Sequence, residues 1–369
     1  MQQNSAMCAE GVEDSDVVVE WVQILIVLMS MLLLVMKYFI ICFFLLETLY
    51  VFGQNTRTIS IDAGNACAVN LSEIAEKVTP IILEEPTGGT QNILLTSEYL
   101  FVVSISSIVQ YNMSGKFIRK IDFGGYITDN LTSDTIKKLL YMPVGDKIKC
   151  YNYSGNFKKE YSLKTFTAYC LYHNDVLWVL SFIFQPDKTT DYYINKINLT
   201  TGEIITLPFK IKDEPLKTED GGLIQSSSLC RLILNNDQIY ASFNFDNTIY
   251  KIRQDKVIPF IQWNISPSAQ SVADRKLLGT NGFAGDNLMI NYRRNDLLYI
   301  YLENFKNGKK YNMSNIIDDV FYTRENCKIK PLEQENYFYF IKDKSEIIGN
   351  NIGNFPLKNG PVVFIVKTK

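Results

Sequence analysis

A hairpin recurs along this chain at intervals that few folds accommodate. Tyr111–Ile121 (YNMSGKFIRKI) and Tyr151–Tyr161 (YNYSGNFKKEY) share one pattern, and Ile197–Leu207 (INLTTGEIITL), Lys251–Ile261 (KIRQDKVIPFI) and Phe305–Met313 (FKNGKKYNM) repeat it. Each is an apolar-alternating strand, a tight turn on Gly or Asp, and a second strand. Such turns call for positive φ, which Gly adopts without Cβ strain. The turn residues Gly115, Gly155, Gly202, Asp255 and Gly308 stand 40, 47, 53 and 53 residues apart. That spacing is the length of one four-stranded propeller blade.

A further strand pair precedes each hairpin, as in Ile93–Val103, Cys170–Leu180, Leu232–Ser242 and Leu332–Lys342. Helical periodicity is nearly absent beyond residue 80, and the 22 Tyr and 22 Phe suit strands. Five units are legible, at 91–122, 135–163, 167–208, 228–263 and 283–313. A sixth starts near Lys330 with Tyr337–Lys342 and Pro361–Val366 but lacks its last strand. Upstream, Val78–Glu84 (VTPIILE) is a strand without a partner. An open ring would expose an edge, so the N-terminal strand is expected to join the last blade. The sequence therefore predicts an all-β, six-bladed β-propeller over 75–369.

The first 53 residues read differently. Glu10, Glu13, Asp14, Asp16 and Glu20 form an acidic leader, and no Lys or Arg precedes Lys37. From Met36 onward the pattern is that of a secretory signal: basic Lys37, apolar Tyr38–Leu46, and a small-residue box ending at Gly53. Read from Met1, Trp21–Leu46 is long enough for a membrane anchor. Met36 is the expected true start, and both readings send the remainder out of the cytoplasm, to the periplasm or cell envelope. Residues 54–74 read as a linker.

From VTPIILEE, YNMSGKFIRKI, NFDNTIYKIRQDKVIPFIQW (244–263) and the terminal PVVFIVKTK, the chain resembles the secreted six-bladed propellers of Gram-negative gut anaerobes, related to the NHL and TolB-like propellers. The resemblance covers about residues 75–369. It implies the fold and export but no defined biochemical role. A Gly-Pro-rich loop frequent in that family after the first blade is here shortened to FGGYITDN (Phe123–Asn130).

Groups capable of chemistry are few. His173, the single histidine, sits between two strands and reads as a turn residue. Zinc hydrolysis and a Ser-His-Asp triad thus have almost nothing to build on. A Ca²⁺ or similar divalent ion needs only carboxylates and carbonyls. Asn174, Asp175, Asn235, Asn236, Asp237, Asp286 and Glu335 recur near strand ends, where tight turns want Asn and Asp in any case. Charge is near balance, 37 basic against 39 acidic residues, which excludes a phosphate-tracking nucleic-acid surface.

The loops joining successive blades (Pro208–Ser226, Ser266–Gly282 and Ser314–Lys328) are the expected binding elements. Tyr126, Arg231, Arg293 and Arg294 are the candidate ligand-binding residues near blade starts, with no catalytic residue assigned. The residues favour a binding or scaffold module for an extracytoplasmic glycan, peptide or protein over the alternative, a cation-dependent lactonase or lyase. Membrane contact is expected only through an uncleaved N-terminal segment. Seven cysteines lack any C-x-x-C pair and read as small buried hydrophobes with room for a bridge or two. Seven N-x-[ST] sequons, at Asn70, Asn112, Asn130, Asn152, Asn198, Asn264 and Asn312, read as turn asparagines rather than glycan acceptors.

Overall fold

A computed structural model describes residues 25–42, 56–85, 92–104, 107–123, 130–217, 223–224, 230–267, 281–295, 297–332, 337–349, 351–352 and 355–369. The chain divides into two units, residues 1–55 and 56–369.

In the first unit, the described segment is one helix, α1 (Leu25–Cys42). Its 18 residues have a mean hydropathy of 2.5 and none is buried. At 1.5 Å per residue it is about 27 Å long, enough by length and composition to cross a bilayer.

The second unit is a ring of six blades, each built on four antiparallel strands. Blades 1 to 5 occupy 92–122, 132–162, 166–213, 231–266 and 282–317, and blade 6 runs from 330 to 368. Packing closes the ring: six buried clusters each join one blade to the next. Phe101 and Leu140 meet between blades 1 and 2, Ile148 and Leu177 between 2 and 3, Tyr192 and Phe243 between 3 and 4. Trp263 and Tyr292 join 4 to 5, Met313 and Phe340 join 5 to 6, and Tyr339 with Leu100 joins 6 to 1. Blade strands bury both faces, which explains near-continuous apolar runs such as VLWVLSFIF.

The turn chemistry follows the sequence. Gly115, Gly155, Gly202, Asp255 and Gly308 all have positive φ, between 60° and 81°. Asn112 Oδ1 accepts from the backbone N–H groups of Ser114 and Lys116, and Asn152, Asn198 and Asn304 hold their own turns the same way. Three sequon asparagines are thus turn-formers. A fourth, Asn130, is only 2% exposed.

The N-terminal strands are named β1 (Arg57–Asp62), β2 (Cys67–Asn70) and β3 (Ala75–Ile82). As expected, β3 completes blade 6, pairing antiparallel with the last strand so that Ile81 faces Val363. The stretch read as a linker, however, supplies two more strands. β1 adds a fifth, parallel strand to blade 4, and β2 does the same for blade 5. Neighbouring strands rotate by about 20–25°, so a fifth strand lies at roughly 80–100° to the first and runs around the rim. This is why the four residues between β1 and β2, reaching at most about 14 Å, suffice to pass from one blade to the next. Ile59 and Ile61 alternate inward into the blade 4–5 core, while Val69, Leu71 and Ile74 enter the blade 5–6 core. Arg57 is fixed by an ion pair to buried Glu303 and by the Phe305 ring, 4.2 Å from its guanidinium.

The cysteines behave as small hydrophobes. Cys150, Cys170, Cys230 and Cys327 are buried and unbridged, while Cys67 is exposed on β2. Burial pushes the Cys230 and Cys327 thiols up to about 12. In a protein of residues 56–369, a thiol-specific disulfide reagent at pH 8 is therefore expected to titrate one cysteine rapidly, and all five only in denaturant. Two fast thiols in the native protein would contradict this packing.

Candidate functional site

Each blade's innermost strand begins at the same face of the ring, where the loops between blades also lie. The hairpin of blade 5 between its second and third strands points to this face as well: Arg293 pairs with Leu298 and Arg294 with Leu297 at its end. Beside it the loop from blade 5 to blade 6 is held firmly. Asp318 accepts from the N–H groups of Val320, Phe321 and Thr323. Asn326 Oδ1 accepts from Ile316 N–H at 2.7 Å, and Cys327 N–H donates to Ile316 O. From below, the buried ammonium of Lys342 donates to the carbonyls of Arg324 and Asn326 and to Glu346. A charge inside a blade thus serves to pin a loop.

Between hairpin and loop lies a cavity of about 420 Å³, a size that takes a small ligand or a large side chain. Its walls are mainly apolar, with Leu297, Leu298, Ile300, Met313, Ile316 and Ile329. Leu297 and Leu298 remain 62% and 40% exposed at the mouth. Asn315, which also lines it, holds its Oδ1 buried without a donor. Lys328 and Lys330 also line it and give it two basic side chains. Cys327 lines the cavity too, but its raised thiol is no nucleophile at neutral pH.

Three of the four candidates from the sequence are described, and they fall in two places. Arg293 and Arg294, half-buried, flank the cavity mouth through their cross-strand leucines. Arg231 opens the innermost strand of blade 4 and is 8% exposed. Its guanidinium lies 5.8 Å from the Tyr169 ring centroid in blade 3. A Cβ on Gly282, in blade 5, would stand 3.8 Å from Arg231 Nη1 and 2.9 Å from Cγ of Pro331, in blade 6. Innermost strands of four successive blades therefore contribute to one wall of the central channel. Tyr126 lies outside the described residues.

The loop expectations need adjustment. Pro208–Asp213 belongs to the outer strand Ile204–Asp213 of blade 3, and Ser314–Ile317 to the outer strand of blade 5. In both, the alternation simply continues past the point where charged residues suggested a loop. Among the acidic and amide positions, Asn174, Asp175, Asn236 and Asp237 have left-handed φ in hairpin turns, and Asp175 pairs with Lys137. His173 Nε2 and Asn174 Nδ2 are 3.0 Å apart. Among the described residues no three His, Cys, Asp or Glu side chains gather; Glu335 lies outside them. Sequence reasoning missed the cavity itself, although the adjacent Leu297-Leu298 in a polar hairpin was the available signal.

Fold and site together define a six-bladed β-propeller with a recessed site on the face where its blades begin. No family model and no curated protein matches the sequence. Among solved structures, the chain is similar to a protein of Bacteroides fragilis NCTC 9343 whose name describes it as exported, with 14% identity, a TM-score of 0.57, and coverage of 85% of this chain and 99% of that one. It also matches BamB from Moraxella catarrhalis, with 12% identity, a TM-score of 0.39, and 64% and 66% coverage. A protein of unknown function from Bacteroides caccae follows, with 11% identity, a TM-score of 0.42, and 66% and 82% coverage. At such identities the first likeness supports the fold and nothing more.

Proposed function

We propose that this chain is an exported β-propeller binding module of the cell envelope, related to the NHL and TolB-like propellers. Its partner is a protein that places an apolar side chain in the blade 5–6 cavity. The observation that carries the reading is that cavity: apolar walls, two leucines held out at its mouth, a buried acceptor without a donor, and two basic side chains. A hydrophobic centre within a polar rim is the usual anatomy of a protein-binding patch. Tyr299 is the one aromatic residue on these walls and their surface is mainly apolar, which favours an apolar side chain over a glycan. Export is supported by α1 and by the name of the Bacteroides fragilis neighbour.

The test is capture from an envelope extract by residues 56–369, alongside Leu298→Asp and Arg294→Glu. The same protein should be retained by the parent and lost by Leu298→Asp, with unchanged thermal unfolding. Burying a charge against an apolar partner costs several kcal/mol, so the loss should exceed 100-fold in affinity. Retention by Leu298→Asp at undiminished strength would remove the cavity from the interface.

A further inference from the structure

Arg231 presents a problem that the other described residues do not solve. It is a permanently charged group, 8% exposed, with no ion pair among the described residues, and its Nε is buried without an acceptor. The Tyr169 face offers it a weak attraction at 5.8 Å, far short of what taking a cation from water costs. Asp213 is near enough to raise the Cys230 thiol but is not paired with Arg231.

Three asparagines linked through neighbouring residues to the surroundings of Arg231 share its condition. Asn130, Asn244 and Asn281 are 1–2% exposed, and each has an Nδ2 donor with no acceptor. Each lies one step from the guanidinium contacts. Asn281 precedes Gly282; Asn244 accepts from the thiol of Cys230, the residue before Arg231; Asn130 accepts from the N–H of Cys170, the residue after Tyr169. Two of these amides cannot be turned around. Asn130 Oδ1 is held by Cys170 N–H at 2.6 Å and Asn281 Oδ1 by Asn291 N–H at 2.8 Å, so their NH₂ ends are fixed as donors. Buried donors usually have acceptors, and here four lack them, one of them on a cation with no ion pair among the described residues. Water can satisfy an amide, but it does not neutralise a guanidinium.

We propose that the channel wall at Arg231 is a binding site for a carboxylate, held side-on by Nε and an Nη of Arg231 with the asparagine amides as further donors. The charge count selects the class. Among the described residues, one cation with neutral amides matches a single negative charge, whereas a phosphate brings about −1.5 to −2 at neutral pH. The planar fork of Arg matches the two coplanar oxygens of a carboxylate. Gly282 is part of the design, since any side chain there would meet both Pro331 and Arg231. The proposal rests on reading this face as the binding face, and it adds the chemistry the partner or small ligand must present: an acidic side chain or a chain terminus.

The test uses residues 56–369, which form one compact unit, and the probe is sodium acetate. In ¹H–¹⁵N spectra the Arg231 Nε–H resonance, identified by its loss in Arg231→Met, should shift on titration to saturation. The melting temperature should rise by about 2 °C at 100 mM acetate over chloride of equal ionic strength. Arg231→Met should lose that response, while Arg293→Ala keeps it. An Nε–H unmoved by acetate, or moved equally by chloride, overturns the proposal. A response to phosphate that exceeds that to acetate overturns the carboxylate assignment. If Arg231→Met does not fold, Arg231→Lys serves in its place, since it keeps the charge, loses the fork and should weaken the acetate response. Because acetate reports on this site alone, a negative result leaves the protein-capture experiment undisturbed.

Discussion

A chain that begins at Glu84, without its three N-terminal strands, is expected not to fold. Blade 6 would keep only three strands and leave the seven residues of Val362–Thr368 with an open edge. The cores on both sides of that blade would lose Ile74, Ile81, Ile82 and Leu83, each less than 9% exposed. Removing one large buried aliphatic side chain typically costs 2–5 kcal/mol, so four cost an amount comparable to the whole stability of an ordinary domain, about 5–15 kcal/mol. A chain beginning at Cys67 loses β1 alone, with Ile59 and Ile61, and should still melt cooperatively at a lower temperature. Circular dichroism on heating, with size-exclusion chromatography, separates the cases. A cooperative transition in the shorter chain would mean that the ring closes by some other pairing.

Gly115→Ala is expected to be the most damaging single methyl in the ring. Its φ of +77° alone disfavours an L-residue, by about 1–2 kcal/mol. A Cβ there would also stand 2.1 Å from the carbonyl oxygen of Ile82 in β3. The backbone cannot easily withdraw, because Glu84 N–H donates to Gly115 O at 2.9 Å. Gly308 is the internal control: its φ is +71°, and a Cβ there would meet nothing within 4 Å. Gly308→Ala should therefore cost about 1–2 kcal/mol and Gly115→Ala about 3 kcal/mol or more, read from urea unfolding midpoints. Equal losses would show that the close approach of blade 1 to the closing strand is absent in solution.

Both experiments bear on what the residues disclosed in advance. The hairpin turns were legible because a left-handed backbone admits few residue types, and Gly115 or Gly155 advertises it directly. Closure was legible by counting, since Val362–Thr368 needed a neighbour and Val78–Glu84 had none. β1 and β2 were not, although RTISID alternates polar and apolar as a strand should. At six and four residues, beside Gly64 and Asn65, they fall where short strands and linkers look alike. The sites were less legible still. Arg231 was chosen as a cationic residue near a blade start, but its burial depends on Tyr169 and Gly282 in other blades. The cavity forms only when Leu297 and Leu298 meet a loop some 30 residues further on. Periodicity reports a residue's own strand; a site on a ring is made by neighbours that sequence distance conceals.

The path of β1, β2 and β3 along three consecutive rims also decides how the ring responds to being pulled. A load entering from the N-terminal side reaches β1 first, and its six paired positions with blade 4 must shear before β2 is strained. Four pairs with blade 5 come next, and only then the strand whose departure would open the circle. For a protein held at that end, the seal is the last thing tension reaches, behind two short strands that must part first.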